Sequence, residues 1–440
     1  MARYRYTLNI ESNNCDFFVA QPHAAIYLKN MASFDLAKIR SHFPALNQKV
    51  DGKTPIFLDG PGGTQVPKAV PEAMVNYLQT SNSNLLNSNF FAVKRTHEVV
   101  ADARIKAATF VNAPRADDII FGQSMSAITS HLSRSISNEW NKGDEIIITA
   151  LEHYSNASFW QRAAADKGVT CHIARMKAED CTLDYEHLES LISPKTKLIA
   201  FTLASNVTGS RTDAARIIAA AKSVGALTYV DSVHAAPHYL PDVQVLDCDF
   251  LACSAYKFYG PHLGFVFGKQ EHFERLVPYK VEPAPSTSPE CWEMGTKSFE
   301  ALAGLSATID YMASYTPASS LRESLAAFYN ELFDYETSLS RHFLAQASEI
   351  TGMQVYGITD TTQLGERTPT FGFQLKGHHP QAISDHLAAH GIITGAGNFY
   401  AKSVIDTLGL SESGGIVRAG CLHYNTVEEI DTLFEALETL

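Results

Sequence analysis

The chain has 440 residues, 45% of them hydrophobic and 19% charged, a globular balance that is too long for one ordinary core, so two domains are expected. A formal net charge of −12 argues against a nucleic-acid binder, which needs Lys and Arg to neutralise phosphates. No apolar run reaches the roughly 18–20 residues of a membrane span. The cysteines, at 15, 171, 181, 248, 253, 291 and 421, are odd in number and form no C-x-x-C pair. They read as reduced thiols of a cytoplasmic protein, with neither a disulfide scaffold nor a metal site expected.

Residues 1–30 mix polarities, carry acidic residues and lack the compact apolar stretch of a signal peptide. Met31 then opens ASFDLAKIRSHFPAL, which has a helical texture. The expectation is that translation starts at Met31 and that 1–30 is a mis-called extension, the alternative being an ordered N-terminal arm. From about 118 to 268 short apolar runs alternate with helical patterns: DIIF, EIIITA, TCHIAR, KLIAFTL, LTYVD, DFLACSA and GFVFG, with helices expected at Ser124–Asn138, near 156–166 and at 214–225. Such alternation predicts an α/β fold with a mostly parallel seven-stranded sheet covered by helices on both faces. After about 280 the texture changes. A Pro- and Ser-rich stretch, VEPAPSTSPE, precedes a long helix at about 319–347; TFGFQL, a helix near 380–389, GIITG, GIVRAG and a last helix near 426–439 suggest a smaller α+β domain. The expected organisation is 1–30 extension, 31–56 segment packing with the small domain, 57–285 large domain and 286–440 small C-terminal domain.

In a parallel α/β sheet, ligands bind beyond the carboxyl ends of the strands. LTYVD ends in Asp231, followed by Ser232, Val233 and His234. A carboxylate there can pair with a protonated ring nitrogen, or simply cap a helix. DFLACSA leads to Tyr256 and Lys257, then Phe258 and Tyr259. An amine wedged among aromatics is desolvated, which lowers its pKa and makes it the nucleophile a Schiff base requires; the bland alternative is a snorkelling surface lysine. Gly122–Ser126 turns a strand into a helix, where free N–H groups and hydroxyls suit a phosphate or an ordinary N-cap. His153 and Asn206 stand at two further strand ends, able to stack on or hydrogen-bond a ring, or to serve as a structural His and a turn Asn.

Taken together, Asp231-Ser-Val-His234 and Ser254-Ala-Tyr-Lys257 with Gly260-Pro261 resemble the class V aminotransferase/cysteine desulfurase family of fold-type I pyridoxal-5′-phosphate (PLP) enzymes, from about Phe57 to the C-terminus. The resemblance implies that Lys257 forms the Schiff base with PLP and is the base at the substrate Cα. It implies that Asp231 pairs with the pyridine nitrogen, that His153 stacks on the ring, and that Asn206 and His234 contact the phenolic oxygen, His234 standing where many desulfurases have Gln. Ser124, the Met125 backbone and Ser254 are implied to hold the phosphate, with Tyr256 where a His is common. Thr296, in WEMGTKSF, is implied to reach the phosphate of a neighbouring subunit, hence a homodimer with shared active sites. Arg418, in IVRAGCLHYNT, is the implied clamp for an amino-acid carboxylate, and Gly63 and Thr64 belong to the implied substrate loop LDGPGGTQVP.

A desulfurase needs a mobile cysteine in the loop before the Arg strand, and GIITGAGNFYAKSVIDTLGL has none. Cys421 lies three residues beyond Arg418, an odd offset that points to the opposite face of a strand; Cys253, next to Ser254, faces away likewise. The expected activity is therefore Cα deprotonation of a small amino acid in a cysteine desulfurase-like enzyme, with C–S lysis, transamination or epimerisation as alternatives to persulfide chemistry. A nucleotide-dependent dehydrogenase is disfavoured because GPGGTQ breaks the G-x-G-x-x-G spacing. A PLP-fold binding module without catalysis is the remaining alternative.

Overall fold

The computed structural model describes residues 34–440, so the expected extension 1–30 and the start at Met31 lie outside the described residues. Within the stretch after Met31 a helix runs over Leu36–Ser41, with the Asp35 carboxylate accepting the Lys38 N–H as its N-cap. A short strand, β1 (Ile56–Phe57), follows. The large sheet is then built from β2 (Ile119–Gly122), β3 (Glu145–Thr149), β4 (Thr170–Ala174), β5 (Thr196–Thr202), β6 (Leu227–Asp231), β7 (Phe250–Ser254) and β8 (Gly264–Gly268). Their order across the sheet is β2-β8-β7-β6-β5-β3-β4.

One strand runs against the rest. β8 pairs antiparallel with both β2 and β7, while the other neighbours are parallel. The cause is the connection: only residues 255–263 join β7 to β8, fewer than the dozen or so a parallel crossover needs. That short turn carries Lys257 in a single helical turn, Ala255–Lys257. Every residue of β7 and β8 is buried, as coverage on both faces requires.

The C-terminal part holds β9 (Met353–Tyr356), β10 (Thr370–Leu375), β11 (Ile392–Ile393), β12 (Gly395–Gly397) and β13 (Ile416–Gly420). β12-β13-β10-β9 form an antiparallel sheet of four. The GIITG run serves two sheets, because β11 pairs with β1 while β12 turns to β13. β1 thereby ties the segment entering the large sheet to the C-terminal part.

Sequence patterning names no element between 68 and 117, where the structure has helices Ala69–Thr80 and Phe91–Val111, nor the helix Phe299–Tyr315 that packs on both. Their buried faces explain the silence. They use small or hydroxylated residues, among them Ala92, Thr96, Ala103, Ala107, Gly304 and Thr308, so the apolar stripe is faint. Close packing demands them: a Cβ on Gly304 would meet Met74 Cγ at 3.0 Å.

A buried ion pair fastens the second of these helices to the sheet edge. Arg104 donates to Glu293 Oε1 and Oε2 at 2.8 and 3.0 Å, and Glu293 Oε1 also accepts the Phe121 N–H at 2.8 Å. Phe121 lies just before the Gly122–Ser126 turn, so this pair steadies one wall of the site described next. Removing one partner strands the other charge out of water. Glu293→Ala should therefore cost about 3–5 kcal/mol in chemical denaturation; a loss under about 1 kcal/mol would rank the pair with exposed ones.

Candidate active site

The carboxyl ends of β5, β6 and β7, the turn after β2 and the loop after β3 converge on one cleft of about 560 Å³, part of it open to solvent. Ser124, Met125, His153, Asn206 and Asp231 line it, and so do His234, Ser254, Tyr256 and Lys257. Arg418 stands behind Asn206, its Nη1 donating to the Asn206 carbonyl at 3.1 Å. Gly63 and Thr64 pack against Tyr256, whose carbonyl accepts the Thr64 N–H at 3.1 Å. Thr296 is exposed and outside the cleft.

Each wall has a local reason for its shape. The helix Met125–Ser137 begins at the cleft, with Ser124 Oγ accepting the Ala127 N–H at 3.2 Å. Ser124 is thus a true N-cap as well as a lining residue, and the first-turn N–H groups beside it have no intrahelical acceptor. Gly264 permits this: a Cβ there would fall 2.2 Å from Met125 N. His153 Nδ1 accepts the Ser155 N–H at 3.1 Å, which fixes the ring. Burial first, then the cations Lys257 and Arg418, press its pKa down to about 4, so the imidazole is neutral.

Two buried carboxylates belong to the floor, Asp231 in its lining and Glu152 behind it, bonded to the Thr202 N–H. Asp231 Oδ1 accepts the Val233 N–H at 2.8 Å, and burial raises its pKa to about 6 against the pull of that N–H and of Lys257. Glu152 is fully buried and accepts from Thr149 Oγ1 at 2.5 Å, Asn156 Nδ2 at 2.7 Å and the Thr202 N–H at 2.9 Å. Burial, with Asp231 adding repulsion, lifts it to about 8. His234 Nε2 lies 3.2 and 3.1 Å from the hydroxyls of Thr368 and Thr370, and burial holds its pKa well below the ordinary value.

Lys257 is the cleft's amine. Its Nζ reaches the Pro61 carbonyl and, at 3.0 Å, that of Gly62. Burial first, then Arg418, lower its pKa to about 7, with Asp59 and Asp231 partly offsetting them. The loop carrying Pro61 and Gly62 is held between the two halves: Gly420 N–H donates to Leu58 O at 2.7 Å and Asn425 Nδ2 to Phe57 O at 2.9 Å.

Asp59 and Glu152 are not singled out by the sequence, whereas Phe399 and Tyr400 stand in the GAGNFYA loop, whose glycines suit a segment that shapes a substrate pocket. Asp59 pairs with Arg418 Nη2 at 3.0 Å. Phe399 and Tyr400 touch residues of the cleft from outside its lining, with the Asn206 amide donating to Phe399 O at 3.0 Å, Tyr154 N–H to Tyr400 O at 2.7 Å, and the Tyr400 ring 5.3 Å from that of His153. Pro61, Ser126, Ser155, Thr202, Ala204 and Val233 complete the lining. Asp59 lies inside the LDGPGG motif and Glu152 directly before His153, so a charged residue touching a singled-out one was the available signal. No cysteine among the described residues lines the cleft.

The chain is similar to known proteins over nearly its whole described length. A family model for class-V aminotransferases matches residues 56–433. A probable cysteine desulfurase of Halalkalibacterium halodurans is 32% identical over 414 residues, 91% of this chain and 97% of that protein. The cysteine desulfurase of Synechococcus elongatus is 28% identical over 424 residues, 92% of this chain but 64% of that longer protein. Among solved structures, the Escherichia coli cysteine desulfurase CsdA (S-sulfonic acid) superposes with a TM-score of 0.80 at 28% identity, covering 92% of this chain and 98% of its own. With its cleft at the strand ends and its family match across the fold, the chain belongs to the class-V aminotransferases, enzymes that use pyridoxal 5′-phosphate.

Proposed function

We propose that this enzyme acts on a small α-amino acid, carrying its cofactor covalently on Lys257 Nζ and using the same amine as base at the substrate Cα. The observation behind this reading is an amine depressed to about pKa 7 in a cleft floored by the Asp231 carboxylate. When bound, pyridoxal phosphate supplies an electron sink for the charge left at Cα. Asp231 would hold the proton on its pyridine nitrogen; Oδ1 has its backbone donor, and no donor among the described residues reaches Oδ2. The first-turn N–H groups at Met125, with Ser124 and Ser254, would hold the phosphate. Asn206, whose Oδ1 is buried without a partner, and His234 would meet the phenolic oxygen. That orphaned amide oxygen is one sign that the site accommodates a polar group. Neutral His153 would cover the ring face, and Arg418 would orient the substrate carboxylate through parallel N–H bonds.

After Cα deprotonation, we favour elimination of the C–S lyase type, transamination or epimerisation over sulfur transfer. Cys253 and Cys421 are fully buried, and burial holds both thiols far above their ordinary range. A thiolate that is neither formed nor accessible is no nucleophile. A homodimer is part of the reading: Leu86, Phe90, Phe91 and Met294 are 56–64% exposed, which is costly for a free surface, and exposed Thr296 is available to a second copy. The cytoplasm is the proposed compartment, because the six described cysteines are unpaired. No helix among the described residues is long and apolar enough to cross a membrane.

An amino-acid panel on the purified holoprotein, scored for sulfide, pyruvate, ammonia and keto acid, tests the chemistry. Pyruvate or keto acid without sulfur bound to protein is expected; a stable protein persulfide would reverse the preference. Borohydride trapping followed by peptide mapping should find the adduct on Lys257, and Lys257→Ala should lose both adduct and turnover. When pyridoxal phosphate is added to the cofactor-free chain at graded pH and the imine is reduced at once, the rate of adduct formation should inflect near 7, not 10.5. Arg418→Ala removes a cation and should move the inflection up, whereas Asp231→Asn removes an anion and should move it down; shifts of opposite sign would refute the electrostatic account.

A further inference from the structure

The Arg418 guanidinium is already enclosed by the protein itself. Asp59 Oδ1 accepts from Nη2 at 3.0 Å, the Asn206 carbonyl accepts from Nη1 at 3.1 Å, and Cζ lies 4.0 Å from the Phe399 ring centre. Two glycines make these approaches possible. A Cβ on Gly62 would fall 2.2 Å from Asp59 Oδ2, and one on Gly395 would fall 2.6 Å from Phe399 Cε1. The enclosure is therefore written into both the GPGG loop and β12. One guanidinium nitrogen makes no bond at all, since Arg418 Nε is buried and has no partner. Bidentate recognition of a carboxylate uses Nε together with an Nη, so Asp59 holds half of the edge a ligand needs.

We propose that Asp59 is an internal stand-in for the substrate carboxylate, and that its displacement from Arg418 Nη2 determines which amino acids bind. This rests on reading Arg418 as the carboxylate clamp. The exchange is charge for charge: a carboxylate held by one bond leaves, and one held by Nε and Nη2 replaces it. The Asp59 side chain is 36% exposed, which gives it a path toward solvent. Its negative charge stays near the site after displacement and repels any ligand that brings a second carboxylate. Monocarboxylic amino acids are thus favoured over aspartate and glutamate.

The test uses the holoprotein with two probes: L-alanine, followed by the absorbance of the bound cofactor, and propanoate, which has no amine to react, followed by calorimetry. Asp59→Asn keeps the shape and removes the charge. It should bind propanoate at least tenfold more tightly, about 1.4 kcal/mol, and should narrow the preference for L-alanine over L-aspartate. Gly62→Ala, whose Cβ pushes the carboxylate aside while leaving its charge in place, should also tighten propanoate binding, with thermal melting to check that each variant is folded. Folded Asp59→Asn that binds both probes no better than wild type would overturn the proposal and make Asp59 a fixed strut for Arg418. Wild-type protein that binds neither probe would overturn the clamp reading itself, and the role of Asp59 with it.

Discussion

The removal of one ammonium group from water governs this site. Lys257 rides a nine-residue turn between two wholly buried strands, and burial dominates the fall of its pKa to about 7. An amine exposed to solvent would remain protonated and inert at neutral pH. The chain withholds the obvious compensation: the nearest polar contacts are the Pro61 and Gly62 carbonyls, while Arg418 adds repulsion. Asp59 and Asp231 act in the other direction, which keeps the amine close to neutrality.

The same economy shapes the floor. Asp231 and Glu152 are both fully buried and repel each other, and they are kept apart in protonation by their surroundings. Glu152 gathers three donors and is lifted to about 8, whereas Asp231, with one backbone donor, reaches only about 6. With burial equal, the pull of the Val233 N–H and of Lys257 on Asp231, and the repulsion Asp231 exerts on Glu152, leave Asp231 the more readily ionised of the two, where it faces the cleft.

Much of this was legible in the chain. LTYVD and GFVFG coincide with β6 and β8, because strands buried on both faces must be continuous apolar runs. Nine of the residues singled out for the cofactor line one cleft, since strand-end residues of a parallel sheet share an edge. What stayed hidden depends on long-range approach. Asp59 meets Arg418 across 359 positions of sequence, and Phe399 meets Asn206 across 193, distances over which no local period carries information. The reversed direction of β8 was implicit in the short turn before it but is not a property of its own residues. The small-residue helices Phe91–Val111 and Phe299–Tyr315 were obscured because tight packing selects residues that leave little hydrophobic contrast.

The segment beside His153 and Asn206 has a further consequence. Phe399 and Tyr400 adopt φ of +50° and +59°, a left-handed twist that costs an ordinary residue about 1–2 kcal/mol. Hydrogen bonds to the two carbonyls offset this, and each is worth a similar net amount, about 0.5–1.5 kcal/mol. Expense and return are of similar size, so the twist is sustained by these contacts and not by the residues' own preference. A side chain exchanged at either position would therefore have to hold the same left-handed twist, which Asn or Gly adopts at least cost, without the ring contact that Tyr400 makes with His153.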